Sequence, residues 1–306
     1  MSNGLRVLFS ASVGAPTELV DRPRAHESSF RCASAASLSG KSCPALSSPE
    51  LRVVNMTALK DGCMPIVALS KGRLQEGLVR NGFWELREPQ DLARLGPGKL
   101  PATGTFLDIG ANIGVWSLIF ARAGWRIVAV EPFPPNRRAF QASLSCLHPE
   151  LKERISIVPK ALSEQTVVAE QHSCVARSQM LPMAHVLNVG NAELFCGRGM
   201  SCQLLKRHYT DCEAVNVSTL DAVLEELQVA TIDAVKIDVE GRECAVFRGG
   251  LNLLTRFRPR FILYEHKQPG VQVCMSALAK SHNYRHGRYT VGDNRLLVAN
   301  EARRSL

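Results

Sequence analysis

The stretch that decides the fold is Thr105-Phe106-Leu107-Asp108-Ile109-Gly110-Ala111-Asn112-Ile113-Gly114. Its first half is a short apolar run that carries an acid near its end, and this pattern predicts a buried strand. A glycine turn follows, and apolar residues then recur at helical spacing as far as Ala123. Gly124 is predicted to end this helix, because the residue just after a helix is often glycine. The stretch therefore predicts a strand, a tight turn and a helix in direct succession.

The same alternation continues along the chain. Apolar runs predict strands at Arg126–Val130, Ile155–Val158, Ile232–Ile237 and Arg260–Tyr264, with amphipathic helices between them. Strands that alternate with helices form parallel sheets covered on both faces. The tail differs, because Tyr284–Tyr289 and Arg295–Ala299 are two strand-like runs joined by a short polar turn. We predict an α/β fold: a Rossmann-like, doubly wound, mostly parallel seven-stranded sheet with an antiparallel C-terminal hairpin and helices on both faces.

The chain divides into three parts by composition. Residues 1–50 are rich in Ser and Ala with scattered Arg, which is typical of an organelle transit segment or of a disordered extension. Residues 51–103 contain short apolar pieces broken by Gly and Pro, and we expect a lead-in segment that covers one side of the domain. Residues 104–300 form the main domain, interrupted by a loop-rich stretch from Glu164 to Val215.

Composition excludes some classes of protein. No apolar run is long enough for a membrane span or a secretory leader, so a cytoplasmic location is expected, with organelle import left open. The net charge is +9, but no basic run is interleaved with aromatic residues, which disfavours nucleic acid as a partner. The 10 cysteines include no C-x-x-C pair. A zinc site from Cys196, Cys202, Cys212 and His208 is disfavoured by its irregular spacing, and reduced thiols are expected.

Two N-glycosylation sequons occur, Asn55-Met56-Thr57 and Asn216-Val217-Ser218. In a chain that is expected not to be secreted, both are interpreted as chance matches.

The glycine turn and the acid after the next strand together predict a nucleoside-binding site. Gly110 and Gly114 allow a tight turn and a close approach of the backbone to a ligand. Glu131, about 20 residues on, can accept both hydroxyls of a ribose. A dinucleotide site prefers glycine at the position of Asn112, where the pyrophosphate lies against the backbone. Asn112 disfavours NAD and suits the aminoacyl end of S-adenosylmethionine.

Several motifs in order resemble the FkbM family of methyltransferases. They are Phe106–Gly114, Val130-Glu131-Pro132, Ser218–Asp221 with Val235–Gly241, Phe247–Gly250 and Leu263-Tyr264-Glu265. The resemblance covers roughly residues 104–300. It implies a class I methyltransferase fold with S-adenosylmethionine as cofactor, and O-methylation of sugar or polyketide hydroxyls as the reaction. By position, it implies that Asp108, Gly110, Asn112 and Gly114 hold the methionine portion, Glu131 the ribose and Ser163 the adenine.

The catalytic candidates follow two later strands. Asp238 and Glu240 lie two residues apart at the end of the fourth strand, where neighbouring carboxylates raise one another's pKa. His266 follows the fifth strand beside Glu265, and its ordinary pKa suits a base. The alternative for Asp238 is a helix cap near Gly241. No residue spacing supports a metal, so none is predicted.

Two rival functions stay open at this point. One is an NAD-dependent oxidoreductase with a Rossmann domain, and the other is a catalytically silent binding module of the same fold. For the methyltransferase, a hydroxyl on a small molecule or a glycan is the expected acceptor, and the oligomeric state is not predicted.

Overall fold

We describe a computed structural model of the chain, which covers residues 49–60, 62–69, 73–166, 173–180, 187–205 and 212–300. The extension predicted for residues 1–50 lies almost wholly outside these ranges, as does His208. No helix in the described ranges is long and apolar enough to cross a membrane.

The strands are numbered in chain order. They are β1 (Leu51–Leu59), β2 (Gly62–Leu69), β3 (Thr105–Ile109), β4 (Arg126–Val130), β5 (Ile155–Val158), β6 (Lys160–Leu162), β7 (Ser173–Met180), β8 (Leu187–Gly197), β9 (Cys212–Ala214), β10 (Asn216–Ser218), β11 (Ala234–Ile237), β12 (Phe261–Glu265), β13 (Tyr284–Val291) and β14 (Asn294–Ala299).

The helices are numbered in the same way. They are α1 (Arg73–Asn81), α2 (Gln90–Arg94), α3 (Val115–Arg122), α4 (Pro134–Ser145), α5 (Pro149–Glu153), α6 (Cys202–Leu205), α7 (Leu220–Glu226), α8 (Glu243–Arg248) and α9 (Pro269–Ser281). A π-helical turn spans Leu253–Phe257.

The central sheet has seven strands in the order β13-β14-β12-β11-β3-β4-β5. From β12 to β5 every neighbouring pair is parallel, whereas β14 is antiparallel to both β12 and β13. The predicted sheet and its C-terminal hairpin are confirmed. The strand order reverses around β3, and ligands of such sheets bind at the carboxyl edge of that switch point.

Alternate residues of β3 enter two separate cores, one on each face of the sheet. Phe106 packs in a core with Trp116 and Phe120 of α3, while Leu107 packs in a core with Leu220 and Phe247. Both faces of the strand are therefore buried, which is why its sequence is an uninterrupted apolar run.

Residues 51–103 pack into the first of these cores. β1 and β2 form an antiparallel hairpin, and Met56, Ile66 and Leu78 are buried in the same cluster as Phe106. The amide of Val67 donates to the Ser143 hydroxyl on α4 at 2.8 Å. This segment is thus held by apolar burial and by a buried hydrogen bond to the main domain.

The prediction of a loop-rich stretch from Glu164 to Val215 is wrong for the residues that the structure describes. β7 is the central strand of a three-stranded antiparallel sheet with β8 and β9. We call this sheet the insert. The sequence did not predict it because its apolar pattern is short. It is also stabilised by disulfides, whose pairing cannot be deduced from sequence.

The expectation of reduced thiols is also wrong. Disulfides join Cys174 to Cys196, Cys202 to Cys212 and Cys244 to Cys274. Cys63 and Cys146 are disulfide-bonded as well. The spacing argument tested only metal ligation and C-x-x-C pairs, whereas antiparallel strands bring distant cysteines side by side.

Candidate active site

The turn after β3 is built from residues in the left-handed region. Gly110 has φ 78°, Asn112 has φ 55° and Gly114 has φ 83°. A Cβ on Gly110 would lie 1.9 Å from the Asp238 carbonyl oxygen, and one on Gly114 would lie 2.3 Å from the Phe140 ring. Both glycines are therefore required by packing within the protein. Asn112 tolerates its conformation because asparagine populates this region more readily than most residues.

Asp108 lies at the end of β3 with one carboxylate oxygen committed. Its Oδ2 accepts hydrogen bonds from the amide and the hydroxyl of Ser117, at 3.1 and 2.6 Å. Its Oδ1 is buried and accepts no hydrogen bond from the described residues. A buried carboxylate oxygen without a donor is costly, so Oδ1 is suited to an ammonium or hydroxyl of a ligand.

Glu131 follows β4 and, like Asp108, lines a cavity at the carboxyl ends of β3, β4 and β11. Its Oε2 accepts from the amide of Asn112 and its Oε1 from the amide of Phe133, both at 2.8 Å. Burial raises the pKa of Glu131 to about 7, against the opposing effect of these amides and of Arg137. The side chain of Asn136 also hydrogen-bonds to this carboxylate, and the acceptor capacity that remains is available to a ligand hydroxyl.

A cluster of charged groups lies on the other side of the cavity. The carboxylates of Asp238, Glu240 and Glu265 approach within 4.8 Å of one another. Lys236 Nζ donates to Asp238 Oδ2 at 2.9 Å, and Lys267 Nζ donates to Glu265 Oε1 at 2.6 Å. We call the three carboxylates, those of Asp238, Glu240 and Glu265, the acid cluster. Two lysines thus balance two of its three carboxylates.

Glu240 is the carboxylate of the cluster that no described cation pairs within 4.0 Å. Burial raises its pKa to about 8, and the nearby carboxylates of Glu265 and Asp238 add to the effect. Glu240 also has φ 53°, an uncommon backbone conformation for such a residue. Strained backbone of this kind concentrates at functional sites.

Lys236 lies between the two halves of the cavity. It pairs in register with Asp108 across β11 and β3, and it is almost fully buried. Burial disfavours its ammonium form, but the carboxylates of Asp238, Asp108 and Glu85 outweigh this effect and raise its pKa. Lys236 therefore stays charged and links the electrostatics of both halves.

The alternative that Asp238 caps a helix is wrong. α8 begins only at Glu243, and its N-cap position is Arg242, which makes no side-chain capping hydrogen bond. Instead Glu243 Oε1 accepts from the amides of Val239 and Gly241 at 3.1 and 3.3 Å. Glu243 thus fixes the turn that carries Glu240, and it leaves Asp238 facing the cavity.

Glu85, from the segment before the main domain, is a site residue that the sequence did not indicate. It has φ 61°, and its two carboxylate oxygens accept from Trp116 Nε1 at 3.1 Å and Asn294 Nδ2 at 3.0 Å. Burial raises its pKa to about 7. The neighbouring Trp84 lines the cavity. A positive φ cannot be deduced from sequence, so no signal identified this residue.

The insert supplies another wall of the cavity. Ala192 and Leu194 of β8 line it, and Arg242 Nη2 donates to the Leu194 carbonyl oxygen at 2.9 Å. The disulfide Cys174–Cys196 joins β7 and β8 close to this wall. The insert is thus cross-linked internally by a disulfide, and it is hydrogen-bonded to the turn after Glu240.

The cavity brings together most of the predicted site residues. Those that line it are Asp108, Gly110, Asn112, Glu131, Asp238 and Glu240. Gly114, Ser163 and His266 do not line it. The imidazole Nδ1 of His266 contacts the Asp293 carbonyl oxygen, and the Ser163 amide donates to the Ser218 carbonyl oxygen at 3.0 Å. Their functional roles stay predictions.

The sheet order, with its cavity at the carboxyl edge of β3, β4 and β11, is that of the class I methyltransferase fold. Residues 108–286 match the methyltransferase FkbM domain. The chain therefore belongs to the FkbM methyltransferase family, as its motifs indicated.

Individual relatives are distant. The chain is 28% identical over 165 residues to the AMB antimetabolite synthetase AmbE of Pseudomonas aeruginosa, a match that covers 49% of this chain and 8% of that protein. Among solved structures, an rRNA methylase from Streptococcus thermophilus has a TM-score of 0.37 at 9% identity, with 69% of this chain and 92% of that chain covered. A precorrin-6y C5,15-methyltransferase from Geobacter metallireducens has a TM-score of 0.36 at 11% identity, covering 68% and 82%.

Proposed function

We propose that this chain is an S-adenosylmethionine-dependent methyltransferase that methylates a hydroxyl of a small molecule or a glycan. The observation that carries the proposal is the two-sided cavity. Asp108 and Glu131 lie on one side and the acid cluster on the other, with Glu240 held at a raised pKa. Family membership supports the transferase class.

The residues of the first side fit the proposed cofactor. Asp108 Oδ1, which lacks a donor among the described residues, suits the ammonium of an aminoacyl group. Glu131 offers a carboxylate, fixed by two amides and by Asn136, as the acceptor for a ribose hydroxyl. The Cβ of Asn112, in its left-handed conformation, stands where a dinucleotide site needs glycine. This argues for a ligand without a pyrophosphate.

S-adenosylmethionine supplies an electrophilic methyl group on a sulfonium sulfur. Glu240 then acts as the general base, because a carboxylate with a pKa of about 8 is a stronger base than an ordinary one and is still partly ionised near neutral pH. On methylation of the acceptor oxygen, Glu240 would accept the proton that the hydroxyl loses. Asp238, fixed by Lys236, orients the hydroxyl.

The first test is calorimetric titration of the full chain with S-adenosylmethionine, S-adenosylhomocysteine and NADH, with Glu131→Ala as the site variant. Binding of the sulfur ligands that is lost in Glu131→Ala supports the proposal. Tight NADH binding without binding of either sulfur ligand would instead establish the oxidoreductase alternative.

The second test measures S-adenosylhomocysteine release with a panel of sugar and alcohol acceptors. Glu240→Gln should lower kcat by about 10²–10⁴-fold, while cofactor affinity stays unchanged. Glu150→Gln, on the exposed surface of α5, is the matched control and should be fully active. Equal turnover by Glu240→Gln and the unmodified chain would refute the role of Glu240. Cofactor binding without turnover of any acceptor would favour the binding module.

A further inference from the structure

The cysteines of this chain are arranged as a disulfide framework. The described residues contain Cys63, Cys146, Cys174, Cys196, Cys202, Cys212, Cys244 and Cys274, and all eight are disulfide-bonded. None of the described cysteines is a free thiol. Disulfides in such numbers persist in oxidising compartments and are rare where glutathione and thioredoxin keep thiols reduced.

The disulfides lie where the fold needs support. Cys174–Cys196 and Cys202–Cys212 hold the insert, and Cys244–Cys274 joins α8 to α9, which follow the strands that carry the acid cluster. The insert is a small, three-stranded sheet. Small units of this kind commonly depend on cross-links for stability. The framework therefore belongs to the folded architecture around the cavity.

Both sequon asparagines point to solvent. Asn55 is exposed in β1 between the buried residues Val54 and Met56, so the alternation of the strand directs it outward. Asn216 is exposed at the start of β10, and the next residue, Val217, is buried in a small core with Ala161 and Cys174. By contrast, Asn136 and Asn294, which are outside sequons, are almost fully buried.

We propose that the chain matures in an oxidising secretory compartment and carries N-linked glycans on Asn55 and Asn216. The co-reactant is an oligosaccharide linked to a lipid diphosphate. The side-chain amide nitrogen bonds to the anomeric carbon and loses a proton, and the lipid diphosphate leaves. The sequon hydroxyls of Thr57 and Ser218 satisfy the recognition rule. The proposal replaces both the expectation of a cytoplasmic location and the interpretation of the sequons as chance matches, and it does not depend on the methyl acceptor.

The test uses the full chain isolated from its own cells after thiols are trapped in the intact cells. The eight described cysteines should resist alkylation until a reductant is added. Release of N-glycans by an amidase in heavy-oxygen water should label Asn55 and Asn216 as aspartate in peptide maps. Exposed Asn252, which lies outside a sequon and is not followed by glycine, is the internal control and should stay unlabelled.

Variants returned to the same cells add a second readout. Asn55→Gln and Asn216→Gln should each lower the intact mass by one glycan, whereas Asn252→Gln should not. Alkylation of these cysteines without reductant would overturn the proposal as a whole. Protected cysteines with no label on either asparagine would overturn the glycan assignment. These readouts are independent of methyl transfer, so they separate this proposal from the proposed function.

Discussion

Cofactor binding should weaken as the pH falls, because Glu131 must be ionised to keep its three protein donors and still accept a hydrogen bond from the proposed ribose. Its pKa is raised to about 7, chiefly by burial. Below that pKa the carboxyl must first release a proton before the cofactor binds. The apparent Kd is therefore multiplied by one plus the ratio of protonated to ionised carboxyl. That factor is about 1 near pH 8 and roughly 11 near pH 6. The expected loss is about tenfold, or about 1.4 kcal/mol.

Calorimetric titration with S-adenosylhomocysteine in two buffers of different ionisation heat measures both the affinity and the protons released. About 0.9 proton should be released per ligand near pH 6 and about 0.1 near pH 8. Glu131→Gln should bind more weakly and show no slope with pH, whereas the control Glu240→Gln should keep the slope. An affinity that stays constant over this range, or a slope that survives in Glu131→Gln, would refute ribose recognition by this carboxylate.

Three further predictions concern stability. Gly110→Ala should lower the free energy of unfolding by about 2–5 kcal/mol in thermal denaturation, because its Cβ meets the Asp238 carbonyl oxygen. Gly199 has a similar positive φ but open space around it, so Gly199→Ala should lower the free energy of unfolding by only about 1 kcal/mol. Equal losses of stability in the two variants would contradict the clash at Gly110. Replacing Cys202 and Cys212 by Ala should destabilise the insert by about 3 kcal/mol, and hydrogen exchange should rise in β9 while the central sheet stays protected. Glu85→Ala should lower the free energy of unfolding by about 1–3 kcal/mol, since it leaves the donors of Trp116 and Asn294 without an acceptor. The shorter side chain of Glu85→Asp should change the tryptophan fluorescence, and a spectrum that matches that of the unmodified chain would argue against the contact with Trp116.

The sequence predicted the central sheet because its strands are buried on both faces. β3 and β4 were located to the residue, since a doubly buried strand is an uninterrupted apolar run bounded by turns. The helix after Thr219 was also predicted, and the structure shows the reason: the Thr219 hydroxyl accepts from the Ala222 amide as a cap.

The insert and residues 51–103 could not be predicted to the same degree. Their strands are stabilised by long-range contacts, such as the pairing of Cys174 with Cys196 and the burial of β2 against α4. Such contacts leave little periodicity in the local sequence. Disulfide connectivity in particular is not encoded by cysteine spacing.

For the candidate site, the acids at strand ends were predictable and their environment was not. Topology alone places Asp108, Glu131 and Asp238 at one edge, because the carboxyl ends of parallel strands meet there. The raised pKa of Glu240 depends on the three-dimensional approach of Glu265 and on burial. Glu85 reaches the site from more than a hundred residues before Lys236, a distance that no local pattern spans.

The reversed direction of β14 gives the C-terminal hairpin a part in the site. In a parallel strand the last residue reaches the ligand edge, but in β14 the first residue does, and Asn294 therefore pairs with Glu265. The turn before it brings Asp293 to Lys267 at 3.1 Å. Neither Asp293 nor Asn294 lines the cavity, but Lys267 also donates to Glu265 of the acid cluster. The hairpin thus helps to hold Lys267 beside Glu265, so an exchange of Asp293 would change the charge balance of the acid cluster without altering a residue that lines the cavity.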